Sequence, residues 1–144
     1  MSVPLDDNCR RLLDAPNFGH LATLNPDGGP KVEPVWVGRD GDLVLIATDR
    51  KSLKAINMDR DPRVALSITD YRNPYEQALI RGLVVQARDD NDLAVLDQLA
   101  QKYLGGPFPR RKWSSRVVYV IRPTLARYYK SPLAHTPPSL PGDA

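Results

Sequence analysis

The chain has 144 residues, 42% of them hydrophobic and 26% charged, with a net charge of +3. That length suits one domain with a single core, and so mild a charge does not imply bulk nucleic-acid binding, although it can steer small anions. One cysteine, Cys9, excludes an internal disulfide and fits a reducing compartment.

The start, MSVPLDDNCRRLLDAP, lacks an apolar signal core, and no run approaches membrane-spanning length, so a cytoplasmic soluble protein is expected. Pro4 to Ala15 predicts a short helix. Asp6 or Asp7 can cap it, Leu12 and Leu13 give it an apolar face, and Pro16 stops it. Three strand-like runs follow: Phe18–Leu24, Lys31–Val37 and Leu43–Thr48. The turn formers NPDGGP separate the first pair, and Asp40-Gly41 is a tight-hairpin signal before the third. Pro34 inside the second run points to an edge or a bulge.

A short helical pattern comes next, then a strand over Arg63–Thr69 and the loop DYRNPYEQ. The strand ALIRGLVVQA contains Gly82, which suggests a bulge or a close backbone approach. DDNDLAVLDQLAQKYLGG predicts the best helix, with Asp89, Asp90 and Asn91 as caps and Gly105-Gly106 as its end. A basic loop leads to a last strong strand, VVYVIRP, and a shorter one around LARYY. The tail KSPLAHTPPSLPGDA is Pro-rich and without apolar periodicity, so a mobile segment is expected over 131–144. Six or so short antiparallel strands with helical decoration predict a mainly β, closed barrel occupying residues 1–130.

The two histidines, His20 in a strand and His135 in the tail, form no cluster with Cys9 or with carboxylates, so no metal site is expected. Nucleophile elbow, P-loop and dinucleotide fingerprint are all missing. Any catalysis therefore points to a bound cofactor, and His20 reads as a core or rim residue.

The stretch IATDRKSLKAINMDRDPRVALSI carries Arg50, Lys51 and Lys54 around Ser52, a good N-cap. Cations at a helix N-terminus oppose its dipole, which favours an anion there. Spacing alone leaves two readings open: a solvated basic face, or an anion cradle.

The segments GHLATLNPDGGPKVEPVWV, GDLVLIATDRKSLKAINMDRDPRVALSI, LIRGLVVQA and QKYLG together resemble the pyridoxamine 5′-phosphate oxidase-like superfamily of split β-barrel proteins. Among its branches the chain is most similar to the one dependent on coenzyme F-420, an 8-hydroxy-5-deazaflavin. The resemblance implies a six-stranded split barrel and a homodimer with two cofactor sites at the interface; the sequence itself gives no reason to expect a nucleic-acid or membrane partner. It has no recognisable nucleic-acid-binding module, although the basic patch leaves such binding as the least favoured alternative. The resemblance implies that Arg50, Lys51, Ser52 and Lys54 bind the cofactor phosphate. Pro34, Val35, Trp36 and Val37 would line the tricyclic ring, with Trp113 a ring or substrate neighbour from the dimer partner. Asn57 and Arg63 match the pattern in structural roles.

The implied reaction is hydride transfer from reduced F-420 to an electron-poor small-molecule acceptor such as an enone, a quinone or a biliverdin-like tetrapyrrole. Arg81, Tyr71 and Tyr75 are the candidate catalytic residues for the charge that develops. Leu53 stands where FMN-using oxidases of the superfamily commonly carry arginine, and their arginine-histidine element for pyridoxal has no counterpart in TLARYYKSPLAH. FMN is the alternative cofactor, and a non-catalytic tetrapyrrole or deazaflavin carrier is the alternative role.

Overall fold

The computed structural model describes residues 2–109, 115–139 and 141–142. In chain order the elements are α1 (Asp7–Asp14), β1 (Gly19–Leu24), β2 (Pro30–Val35), β3 (Gly38–Asp40) and β4 (Leu43–Asp49). They continue with α2 (Leu53–Arg60), β5 (Arg63–Thr69), β6 (Glu76–Asp89), α3 (Ala94–Leu104) and β7 (Arg116–Lys130). All strands belong to one antiparallel sheet ordered β2-β1-β5-β6-β7-β4-β3.

The mainly β barrel expected from the sequence is present, with three short helices. Its strands differ in detail from the predicted runs. The Lys31–Val37 run divides at Trp36-Val37: β2 pairs with β1, while β3 pairs with β4 at the opposite end of the sheet. The chain thus steps from one sheet edge to the other through a two-residue link, closing the barrel covalently where no ladder joins β2 to β3. Pro34 fits because β2 is an edge strand, where a missing N–H breaks no rung.

The two last runs are one 15-residue strand, β7, paired along its length with β6. Register shifts at Arg81/Gly82 and Val84/Gln86 bend that pair. At Gly82 an added Cβ would sit 2.6 Å from the Arg122 carbonyl oxygen, so the predicted bulge is also a close approach.

Leu5, Leu12 and Leu13 from the α1 region join Leu21, Ile46, Leu66, Ile68, Ile80, Tyr119 and Ile121 in one buried core. β4 and β7 bury both faces: Leu45, Val118 and Val120 form a second cluster with Val95 of α3, which covers the barrel from outside. Asp6 caps α1 by accepting from Cys9 N at 2.7 Å. α3 starts one turn later than the sequence suggests, after Leu93 in the left-handed region at φ 61°. Buried Asp90 still serves it, its two carboxylate oxygens accepting from Val95 N at 3.0 Å and Leu96 N at 2.9 Å. No helix among the described residues is long and apolar enough to cross a membrane.

Candidate functional site

The turn between β4 and α2 is built by its own side chains. Ser52 is the N-cap, with extended backbone, and its oxygen accepts from Ala55 N at 3.3 Å. The hydroxyl donates to Asp49 O at 2.7 Å, which leaves its oxygen to accept from Thr48 Oγ1 at 3.1 Å. Asp49 turns its carboxylate to Lys51 N at 2.8 Å. The N–H groups of Leu53 and Lys54 have no hydrogen bond to a described residue. α1 has Asp7 in its first turn and α3 has Asp90 on its first amides, whereas α2 has no acidic residue in its first turn.

Lys54 lies within this first turn, its side chain only 18% exposed and its Nζ 3.5 Å from Glu33 Oε1. Glu33 divides its charge with Lys31 at 3.0 Å. Arg50 reaches the other way and forms an ion pair with Asp89, and Lys51 is exposed. The four residues predicted at the phosphate position thus divide: Ser52 and Lys54 line a cavity of about 430 Å³, and Arg50 and Lys51 stand outside it.

That cavity runs from Thr48, Asp49, Ser52 and Lys54 to Pro34, Val35, Trp36, Phe18 and Phe108. Of the predicted ring-lining strand, Pro34, Val35 and Trp36 face the groove, while Val37 is fully buried in the core. Arg116 forms part of the floor with its guanidinium 5.0 Å from the Phe108 centroid. Burial lowers the Arg116 pKa, against the pull of Asp49 and Asp90.

The aromatic end is held by α3. The Trp36 ring stacks on Tyr103, centroids 5.2 Å apart, and meets Phe108 edge-on at 6.1 Å. Phe18 lies against the same tyrosine at 5.4 Å. Tyr103 donates its hydroxyl to Asn17 O at 2.5 Å and accepts from Val37 N at 3.1 Å. Lys102 Nζ donates to Leu13 O at 2.7 Å and to Val37 O. Burial pushes the Tyr103 pKa up to about 12 and the Lys102 pKa down to about 8.

Two more cavities meet the groove at Phe18. One of about 560 Å³ is shared by Trp36, Tyr103, Asn17, Tyr71 and Arg72. The other, about 340 Å³, is lined by His20, Pro34, Thr69, Asp70, Tyr71, Pro74 and His135. Tyr71, 79% exposed, borders both of them. Tyr75 packs edge-on against His135 at 6.0 Å. Arg81 is exposed on β6, opposite Ala65 and Leu125, and lines none of these cavities. Trp113 lies outside the described residues.

Asn57 is buried and bridges Thr23 Oγ1 and Asn25 Oδ1, each at 3.1 Å, and Arg63 pairs with Asp61 at 2.7 Å. Both take structural roles. Among the described residues no three metal-ligating side chains gather. Sequence reasoning missed Phe18, Phe108 and Arg116 as groove residues, and Lys102 and Tyr103 as the side chains that hold its aromatic end. A tyrosine at helical spacing reads as core, and only contact with Trp36 reveals its use.

The profile of the Pyridoxamine 5'-phosphate oxidase family matches residues 5–130. A solved structure described as an F420 reductase is 37% identical, covering 82% of this chain and 94% of that one, with a TM-score of 0.75. A conserved hypothetical protein from Mycobacterium tuberculosis has the same TM-score of 0.75 at 21% identity, over 99% of this chain and 96% of the other. A putative pyridoxamine 5'-phosphate oxidase from Listeria innocua superposes with a TM-score of 0.66 at 21% identity, over 84% and 94%. No curated protein matches. With the family profile spanning nearly all of the barrel, the chain belongs to the Pyridoxamine 5'-phosphate oxidase family.

Proposed function

We propose that this protein is an F-420-dependent oxidoreductase that reduces an electron-poor small molecule, and that it works as a homodimer. The observation that carries this reading is the single groove joining Ser52 and Lys54 at one end to Trp36, Phe18 and Phe108 at the other. A phosphate-bearing aromatic cofactor needs those two chemistries in that order. The 37%-identical F420 reductase favours a deazaflavin over FMN.

The residues present fit such a group. Two unpaired amides and the Lys54 ammonium can hold phosphate oxygens, an environment in which an N-terminal dipole and a cation act together. Arg50 and Lys51, outside the groove, suit the further charge of the F-420 tail. Trp36, fixed by Tyr103, offers a flat surface to a ring, and Pro34 and Val35 supply the adjoining apolar wall. When bound, a reduced deazaflavin supplies a hydride to the acceptor. The chain's contribution is then to position the ring, exclude water with its aromatic residues and hold the phosphate. Leu79 and Tyr129, exposed on adjoining strands, support an apolar contact between two copies.

Titration of the purified protein with F-420 and with FMN, followed by fluorescence, tests the cofactor. F-420 should bind the more tightly, and Lys54→Ala should weaken it about tenfold, as loss of one charge-assisted contact would. Tighter FMN binding would replace the deazaflavin with a flavin. Unchanged affinity in Lys54→Ala would remove the assigned phosphate site.

A further inference from the structure

Resting on that reading, the geometry points to the cavity between His20 and His135 as the acceptor site, with His20 giving the acceptor its proton. These are the chain's two histidines. One stands on β1 and the other 115 positions later in the tail, yet they line the same 340 Å³ space.

That space adjoins the cofactor groove directly. Phe18 and Pro34 border both, so a molecule seated against His20 lies one side chain from the aromatic end of the groove. The larger neighbouring cavity also borders Phe18 and Trp36 and shares Asp70 and Tyr71 with the histidine cavity, but no imidazole lines it. Its Tyr103 hydroxyl is already donated to Asn17 O, and burial raises its pKa to about 12. Asn17 there donates to Leu12 O and accepts from Tyr71 N, and Arg72 does not release a proton. Imidazole is the side chain suited to give and regain a proton near neutrality.

The surroundings of the histidine cavity are mixed in a useful way. Phe18, Pro34 and Pro74 give apolar walls for a conjugated carbonyl compound. Asp70 on the loop after β5 supplies negative charge, although its Oδ1 is engaged by the amides of Arg72 and Asn73. The other titratable groups facing the space are Tyr71 and, behind His135, Tyr75. His20 sits on a paired strand, opposite Pro34 and Ser67, which fixes its backbone and leaves its side chain exposed. His135 is carried by the tail and lines the same cavity.

For an enone the step balances simply. A bound reduced deazaflavin would supply the hydride that forms the C–H bond at the β carbon and would lose two electrons, while the alkene π pair would move toward the carbonyl. The enolate takes one proton from the His20 imidazolium, giving the saturated ketone, and water restores the imidazolium.

Two readouts test this. With cofactor-free full-length protein, cyclohex-2-en-1-one should shift both imidazole signals in NMR, which are readily resolved because only two histidines exist. With reduced F-420 bound, His20→Gln should slow enone reduction about 100-fold, as removal of a general acid does. Its F-420 affinity should stay within about twofold, since positioning of the phosphate is untouched. His135→Ala should raise KM several-fold with kcat retained. An enone that moves neither imidazole, or a His20→Gln protein with the wild-type rate, overturns the inference while leaving cofactor binding intact. Failure of wild-type protein to bind F-420 would sink the cofactor reading and the proton role together, and the NMR titration would still decide the acceptor site.

Discussion

The Trp36 and Tyr103 rings lie 6° from parallel, so a residue in the link between two sheet edges is stacked on the last turn of α3. Its tilt is not free to vary, because the Tyr103 hydroxyl also holds the Val37 amide, one residue further on. Tyr103→Phe keeps the stack and removes the hydroxyl's hydrogen bonds, leaving the Val37 amide without its partner. The expected loss is about 1–3 kcal/mol in urea unfolding, with a fall in F-420 affinity smaller than that of Trp36→Ala. An equal fall in both variants would show that the hydroxyl, not the ring, orients the groove.

Gly82 faces backbone rather than a movable side chain. A methyl there would meet the Arg122 carbonyl at 2.6 Å and Ile121 Cγ2 at 2.8 Å. Gly82→Ala is therefore expected to destabilise the protein by about 1–3 kcal/mol, the usual range for overpacking. A thermal midpoint equal to that of the wild type would mean that the β6–β7 bulge can slide to make room.

Lys102 makes stability depend on alkaline pH. Its folded pKa, about 8, lies below the ordinary 10.5 because burial disfavours the cation. Between those values the unfolded chain retains a proton that the folded chain has released, so stability rises with pH across that window. Below it both states are charged and the burial cost is fully present. The stability difference between wild type and Lys102→Met, measured by chemical unfolding from pH 8 to 10.5, should thus shift in favour of the wild type. A flat difference would refute the assignment.

Glu76 acts at the acidic end. The Tyr128 hydroxyl donates to its Oε1 at 2.6 Å, Arg11 pairs with the same oxygen, and together they hold the carboxyl below its ordinary 4.5. This contribution is complete above that value and is lost as pH falls through the lower, folded one. Glu76→Gln should cost about 1–3 kcal/mol near neutral pH, and the deficit should shrink in acid. A deficit independent of pH would assign the loss to shape rather than charge.

Local chemistry explains what was legible in the sequence. Asp40-Gly41, Pro34, Gly82 and the Ser52 cap are requirements of single turns or strands, and each appears in the fold as its chemistry demands. The mainly β barrel followed from run spacing and from the resemblance. The split of one run at Trp36-Val37 was not legible, because residues on either side keep the same β-forming character while pairing with opposite edges. Arg50 and Lys54 look equivalent as letters; what separates them is remote in sequence, Asp89 for Arg50, 39 positions away, and Glu33 for Lys54. His20 and His135 were read singly for the same reason, since nothing local relates a strand residue to a tail residue.

The two-residue step from β2 to β3 makes the barrel a cylinder with an unlaced seam. Along it, Tyr103 and Lys102 fasten the chain at Val37. The groove beginning at Trp36 starts on that seam. An occupant lying across Pro34, Val35 and Trp36 would span the gap and act as a rung that the polypeptide does not supply, so filling the groove would brace the whole cylinder against opening.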